Sequence, residues 1–168
     1  MSLDHPAFSD STSLDSVASV NQPEQDRALF VGLKYESYYQ AQFEKITPKK
    51  QYAGFNIAAF FLGVVWLFYR KMYSYGFMSI GLIVVIGMVE IILGIESSVA
   101  NIGLAVAFGM FGNTLYMHHV DQQITKIRQL GSGSVNTELE KRGGTNLIVG
   151  SILLVIWLGL VALAISAS

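Results

Sequence analysis

Between Gln51 and Val120 only Arg70, Lys71, Glu90 and Glu96 carry a formal charge. A water-soluble domain would have to bury nearly all of that stretch, and a chain of 168 residues encloses too little volume to do so. Lipid is the solvent that such a stretch calls for. The charged fraction agrees, at 14% of the chain against about 25% in ordinary soluble domains. In a bilayer every backbone polar group must find its partner internally, so the expected fold class is all-α, an integral membrane helical bundle in a single domain.

Along the chain the pattern changes several times. Residues 1–28 hold Asp4, Asp10, Asp15, Glu24 and Asp26 against the single Arg27, with many serines, and read as a disordered acidic tail. They lack the basic start and apolar run of a signal peptide, so targeting is expected from internal segments. Over residues 29–46, Tyr35, Tyr39, Phe43 and Ile46 recur at helical spacing, predicting an amphipathic, interfacial N-terminal helix. Two placements stand for that aromatic face: in the headgroup layer, or against the protein's own membrane helices. Pro48 ends the element.

Residues 52–69 form an apolar segment near the lower length limit for spanning, with Gly63 near its middle where a bend is expected. Residues 75–95, 99–120 and 145–167 are long enough to be transmembrane helices. The first two, joined around Glu96, Ser97 and Ser98, predict an antiparallel hairpin. Residues 121–144 continue the third segment as a cytoplasmic helix extension, with Ile124, Ile127 and Leu130 on one stripe, then a loop opened by Gly131, Ser132, Gly133 and Ser134. The expectation is three spanning helices plus a re-entrant or interfacial (or fourth spanning) segment.

Positive charge sets the orientation. If residues 52–69 cross, Lys34, Lys45, Lys49 and Lys50 face one side and Arg70, Lys71, Lys126, Arg128, Lys141 and Arg142 the other. If the segment dips and returns, all of these share one side, and the Glu96 turn and C-terminus carry no positive residue. The stronger asymmetry favours the second arrangement, with a cytoplasmic N-terminus and an external C-terminus.

The run from Phe55 to Tyr73, with Asn56, Gly63, Trp66, Arg70 and Lys71, resembles the signature of an uncharacterised bacterial family, the domain of unknown function 2628. Phe30-Val31-Gly32 with Tyr35, Tyr38, Tyr39 and Phe43 is similar to that family's opening helix, and Gly112-Asn113-Thr114-Leu115-Tyr116-Met117-His118 to the end of its third segment. Members often carry a proline after the glycine and a tryptophan after the asparagine, where this chain has Val64 and Ile57. The resemblance implies a small multi-pass bacterial membrane protein with no established activity, and the expected location is the inner membrane.

Few residues suggest chemistry. Glu90 is an intramembrane carboxylate, which points by default to proton or cation handling, although a single such group more often hydrogen-bonds a neighbouring helix. Arg70, Lys71, Asn113, Tyr116, His118 and Asp121 are placed to form a polar lock on the cytoplasmic side. Metal binding lacks a ligand set, because His118 and His119 are adjacent and neither HxxxH nor HExxH occurs. Arg70 and Lys71 also serve as cytoplasmic anchors or anionic-lipid contacts. Ala105, Gly109 and Gly112, with Gly87 and Gly94, offer small surfaces for close helix approach. No catalytic set, phosphate loop or cofactor motif stands at usable spacing, and the net charge of −1 argues against nucleic acid. The reading is a non-enzymatic accessory protein that contacts membrane lipids, another membrane protein or itself. The alternative is a homo-oligomeric transporter or channel component using Glu90.

Overall fold

The computed structural model describes residues 22–94, 98–131 and 133–167, and among these the protein is helical with no strand. Helix α1 covers residues 22–31, and α2 is a π-helical turn Tyr35–Tyr39 running into Gln40–Phe43. Two six-residue helices follow, α3 (Ile57–Leu62) and α4 (Val64–Tyr69), then the long α5 (Tyr73–Leu93) and α6 (Ser98–Leu130). The short α7 (Val135–Arg142) precedes α8 (Leu147–Ala167).

The N-terminal region departs from expectation in two ways. Helix begins by residue 22, inside the stretch read as a tail, and Asp26 is only 3% exposed. Residues 1–21 of that stretch lie outside the described residues. The helix expected over 29–46 is two helices, because Gly32 adopts φ +74°, a conformation other residues resist, and donates back to Ala28 O at 2.9 Å. The aromatic face of α2 turns inward: Tyr35, Tyr39 and Phe43 are all buried, with Ile46 packed at the edge of the same core. The headgroup placement of that face therefore gives way to packing on the protein itself.

Residues 52–69 do not make one helix. Gly63 breaks them at φ +45°, ψ −113°, backbone that a side chain would strain. Contacts along α6 act as a depth gauge for this segment. It starts where Thr114 Oγ1 donates to Gln51 O, meets Gly109 at Phe55, Gly112 at Ala59 and Phe108 at Gly63, and comes back to Tyr116 through Trp66. From Thr114 to Phe108 is about 9 Å of helix at 1.5 Å per residue. Asn56 N–H donates to Gly109 O at 2.7 Å, so the non-helical stretch finds a partner on α6.

The small residues of α6 seat this segment and not α5. A Cβ on Gly112 would lie 2.8 Å from Ala59 Cβ, and one on Gly109 would enter the Phe55 ring, whereas Gly87 and Gly94 face open space. Among the described residues, Gly87 and Gly94 therefore take no part in close packing of α5 on α6. The turn placed at Glu96 and Ser97 lies outside the described residues.

Adjacent aromatic residues of α4 hold the two most apolar helices. Gly76 of α5 abuts the Phe68 ring and Gly150 of α8 abuts Tyr69, each a few residues from the start of its helix. Asn146 binds both neighbours, its N–H donating to Tyr69 O at 2.8 Å and its Nδ2 to Tyr73 Oη at 2.9 Å. Asn146 Oδ1 also caps α8 by accepting from Val149 N. Both helices thus start at the packed end of the molecule. Beyond their first turns α5 and α8 are almost wholly exposed, and both are long and apolar enough to cross a membrane. The apolar half of α6, taken from sequence as a third span, has α3 and Phe55 against it.

Gly112→Val is expected to destabilise the protein by about 1–3 kcal/mol, because Ala59 has no flexible end with which to yield. Gly87→Val leaves the fold unchanged; thermal midpoints in detergent compare the two.

Candidate functional site

The packed end centres on a buried arginine. Arg70 closes α4 and is 6% exposed, with its guanidinium carbon 4.6 Å from the Tyr39 ring centre, 5.0 Å from Tyr116 and 5.7 Å from Tyr69. No carboxylate pairs with it among the described residues, and its Nε and Nη1 have no hydrogen-bond partner. The negative faces of the rings supply the compensating field, an interaction of about 0.5–2 kcal/mol per ring depending on desolvation. Tyr39 and Tyr116 meet at 4.8 Å, and Trp66 and Phe43 each approach Tyr116 to 6.1 Å. Burial pushes the Tyr39 phenol upward against the opposing pull of Arg70, so it stays neutral at physiological pH.

A layer of amides lies beside this cage. Asn56 caps α3 through Oδ1, accepting from Ala59 N at 2.9 Å, and its Nδ2 donates to Asn113 Oδ1 at 2.9 Å. Asn113 Nδ2 reaches Tyr38 Oη at 3.2 Å and Gly54 O at 3.3 Å. One buried asparagine on α6 therefore ties together α2, the loop before α3, and the α3 cap.

Further along α6, two ion pairs fasten α1. Arg27 makes a two-pronged contact with Asp121, at 2.7 and 2.8 Å, and Arg128 another with Asp26, at 2.5 and 2.7 Å. The Asp121 carboxylate raises the Arg27 pKa, with burial opposing it. At the other end of α1, Phe30 O accepts from Gly144 N at 2.7 Å, so the helix also joins the turn between α7 and α8.

The residues proposed from sequence as one lock occupy several places. Arg70 and Tyr116 meet in the cage, and Asn113 lies in the amide layer beside it. Asp121 instead serves Arg27. Lys71, a non-glycine residue at φ +59°, sends Nζ to the backbone oxygens of Lys141 and Gly143, closing the C-terminal end of α7. His118 is exposed, and its neighbour His119 is the buried one, edge-on to Phe30 and Tyr75. Glu90 stands three residues before the end of α5, and its Oε1 is buried without a hydrogen-bond partner among the described residues. Sequence reasoning missed Tyr39 as a cage wall, Asn56 as a cap and Arg27 with Asp26 as a clasp. The spacing of Asp26-Arg27 against Asp121 and Arg128 was visible, but no local pattern links residues so far apart.

The sequence profile of the family described as "Protein of unknown function (DUF2628)" matches residues 20–122, which include α1 to α5, the cage and the amide layer. No curated protein and no solved structure matches the chain.

Two predictions follow from this geometry. Tyr116→Phe keeps the ring face and removes a hydroxyl that has no partner, so its thermal midpoint stays close to wild type, whereas Tyr116→Leu costs about 1–3 kcal/mol. Arg128→Glu leaves the Asp26 carboxylate facing a like charge. Amide exchange over residues 22–31 is then expected to rise about tenfold or more, and the added change Asp26→Arg restores protection.

Proposed function

Because the chain belongs to the DUF2628 family, whose description assigns no activity, we propose its role from its own surfaces. The protein is a multi-pass protein of the bacterial inner membrane, non-enzymatic, that acts through contact with another membrane protein. The single observation that carries this reading is the exposed apolar surface of α5 and α8. Ile91, Ile92, Leu147, Ile148 and Val155 are each more than 60% exposed, and among the described residues little covers the two helices beyond their first turns. Core helices of a soluble protein would be buried instead.

The common start of α5 and α8 supports entry from one side, the side of the basic residues. The return of residues 52–69 along α6 supports a re-entrant first segment, with its backbone bonded to α6 as membrane depth demands. A reporter fused after Ser168 is expected to read external, and one at Thr47 cytoplasmic. An external reading at Thr47 would sink the re-entrant arrangement.

A second reading, a homo-oligomeric transporter or channel component, draws on the unpartnered Glu90 oxygen. Glu90 lies about 25 Å along α5 from Tyr73, near the far end of a roughly 30 Å hydrocarbon layer, where a carboxylate reaches the interface at little cost. That depth favours a boundary role over a midplane relay. Photo-crosslinking residues placed at Ile91 and Val155 in native membranes separate the readings. Adducts with a different protein support the accessory role, self-adducts alone support the oligomer, and lipid adducts alone exclude both.

A further inference from the structure

A cleft of about 370 Å³ opens where α5 begins, between the start of that helix, the second half of α6 and the end of α7. Its walls include Lys71, Ser74, His119, Gln123, Lys141 and Arg142, and among the described residues no carboxylate lines it. Two positive residues in sequence fall short of a headgroup-binding cluster, but the fold lines one cleft with Lys141, Arg142 and Lys71, whose Nζ donates to Lys141 O and Gly143 O. Arg142 also holds Glu138 on its exposed side, at 2.9 Å.

Two further observations point the cleft toward an anion. The first amides of α5, a helix of 21 residues, have no partner within the helix, and Met72 provides no side-chain cap. His119 is 9% exposed, wedged between Phe30 and Tyr75, and without a hydrogen-bond partner among the described residues, yet it lines this cleft. An imidazole N–H that bonds no described residue and borders the cleft is available as a donor there.

We infer that this cleft binds a phosphate group, held by Lys71, Lys141 and Arg142 with His119 and the α5 amides as hydrogen-bond donors. The site rests on the cleft alone. Its occupant as the headgroup of an anionic lipid rests on the membrane reading above, since the cleft sits where α5 and α8 start.

The test uses the full chain purified in mild detergent, as wild type and as the double variant Lys141→Gln/Arg142→Gln, whose side chains are exposed and outside the core. Native mass spectrometry compares retention of phosphatidylglycerol with phosphatidylcholine. Thermal midpoints compare inorganic phosphate with chloride at equal ionic strength. Wild type is expected to retain phosphatidylglycerol preferentially, and the double variant to lose about tenfold of that preference with its unliganded midpoint unchanged. His119→Phe, which keeps an aromatic ring between Phe30 and Tyr75, is expected to weaken retention without unfolding. A phosphate-dependent rise in midpoint confined to wild type, without lipid preference, establishes the site with soluble phosphate as its occupant. If neither probe distinguishes wild type from the double variant, the cleft is not a phosphate site, whatever the fate of the membrane reading.

Discussion

A guanidinium buried without a counter-ion among the described residues is the constraint to which the packed end of this protein answers. Arg70 meets ring faces from α2, α4 and α6, so three elements must converge for the charge to be tolerated. Lysine would not substitute, because a compact, strongly hydrated ammonium cannot spread across several rings as a planar cation does. The same helix end carries Phe68 and Tyr69, against which α5 and α8 are seated. The residue that anchors the core thus also fixes where the two long apolar helices begin.

The result is an uneven molecule. One end is dense, with asparagine amides, aromatic rings and ion pairs, and with glycines that admit close approach of α3 to α6. The other is two apolar helices that, among the described residues, are anchored near their starts. Water would leave these helices with large exposed apolar surfaces, while a bilayer would cover them without further protein contacts.

The parts legible in sequence were those with local periodicity or a long unbroken composition. Tyr73–Leu93 and Leu147–Ala167 stood out because almost every residue is apolar, and the positions differ from expectation by only a few residues at the ends. Gly63 stood out because a lone glycine near the middle of a marginal segment has few other uses, and the chain does bend there. The inward turn of Tyr35, Tyr39 and Phe43 was not legible, since an aromatic stripe has the same spacing whether it meets lipid or protein. The partner of Gly109 and Gly112 was not legible for a related reason: small residues announce close approach without saying by what. His119 was hidden by its neighbour, because nothing in an adjacent pair of histidines tells which one faces inward. The α1 residues looked disordered because Asp26 finds its counter-charge in Arg128, about a hundred positions away on α6, a distance over which composition says nothing.

The clasp between α1 and α6 has an orientation written into it. Asp26 and Arg27 carry opposite charges side by side, and they meet Arg128 and Asp121, which also carry opposite charges, about two helical turns apart. Were the short helix to lie the other way round, carboxylate would face carboxylate and guanidinium would face guanidinium. The arrangement therefore works as a polarised key: it tells one direction of docking from its reverse by sign alone, where an apolar face of the same area would accept both.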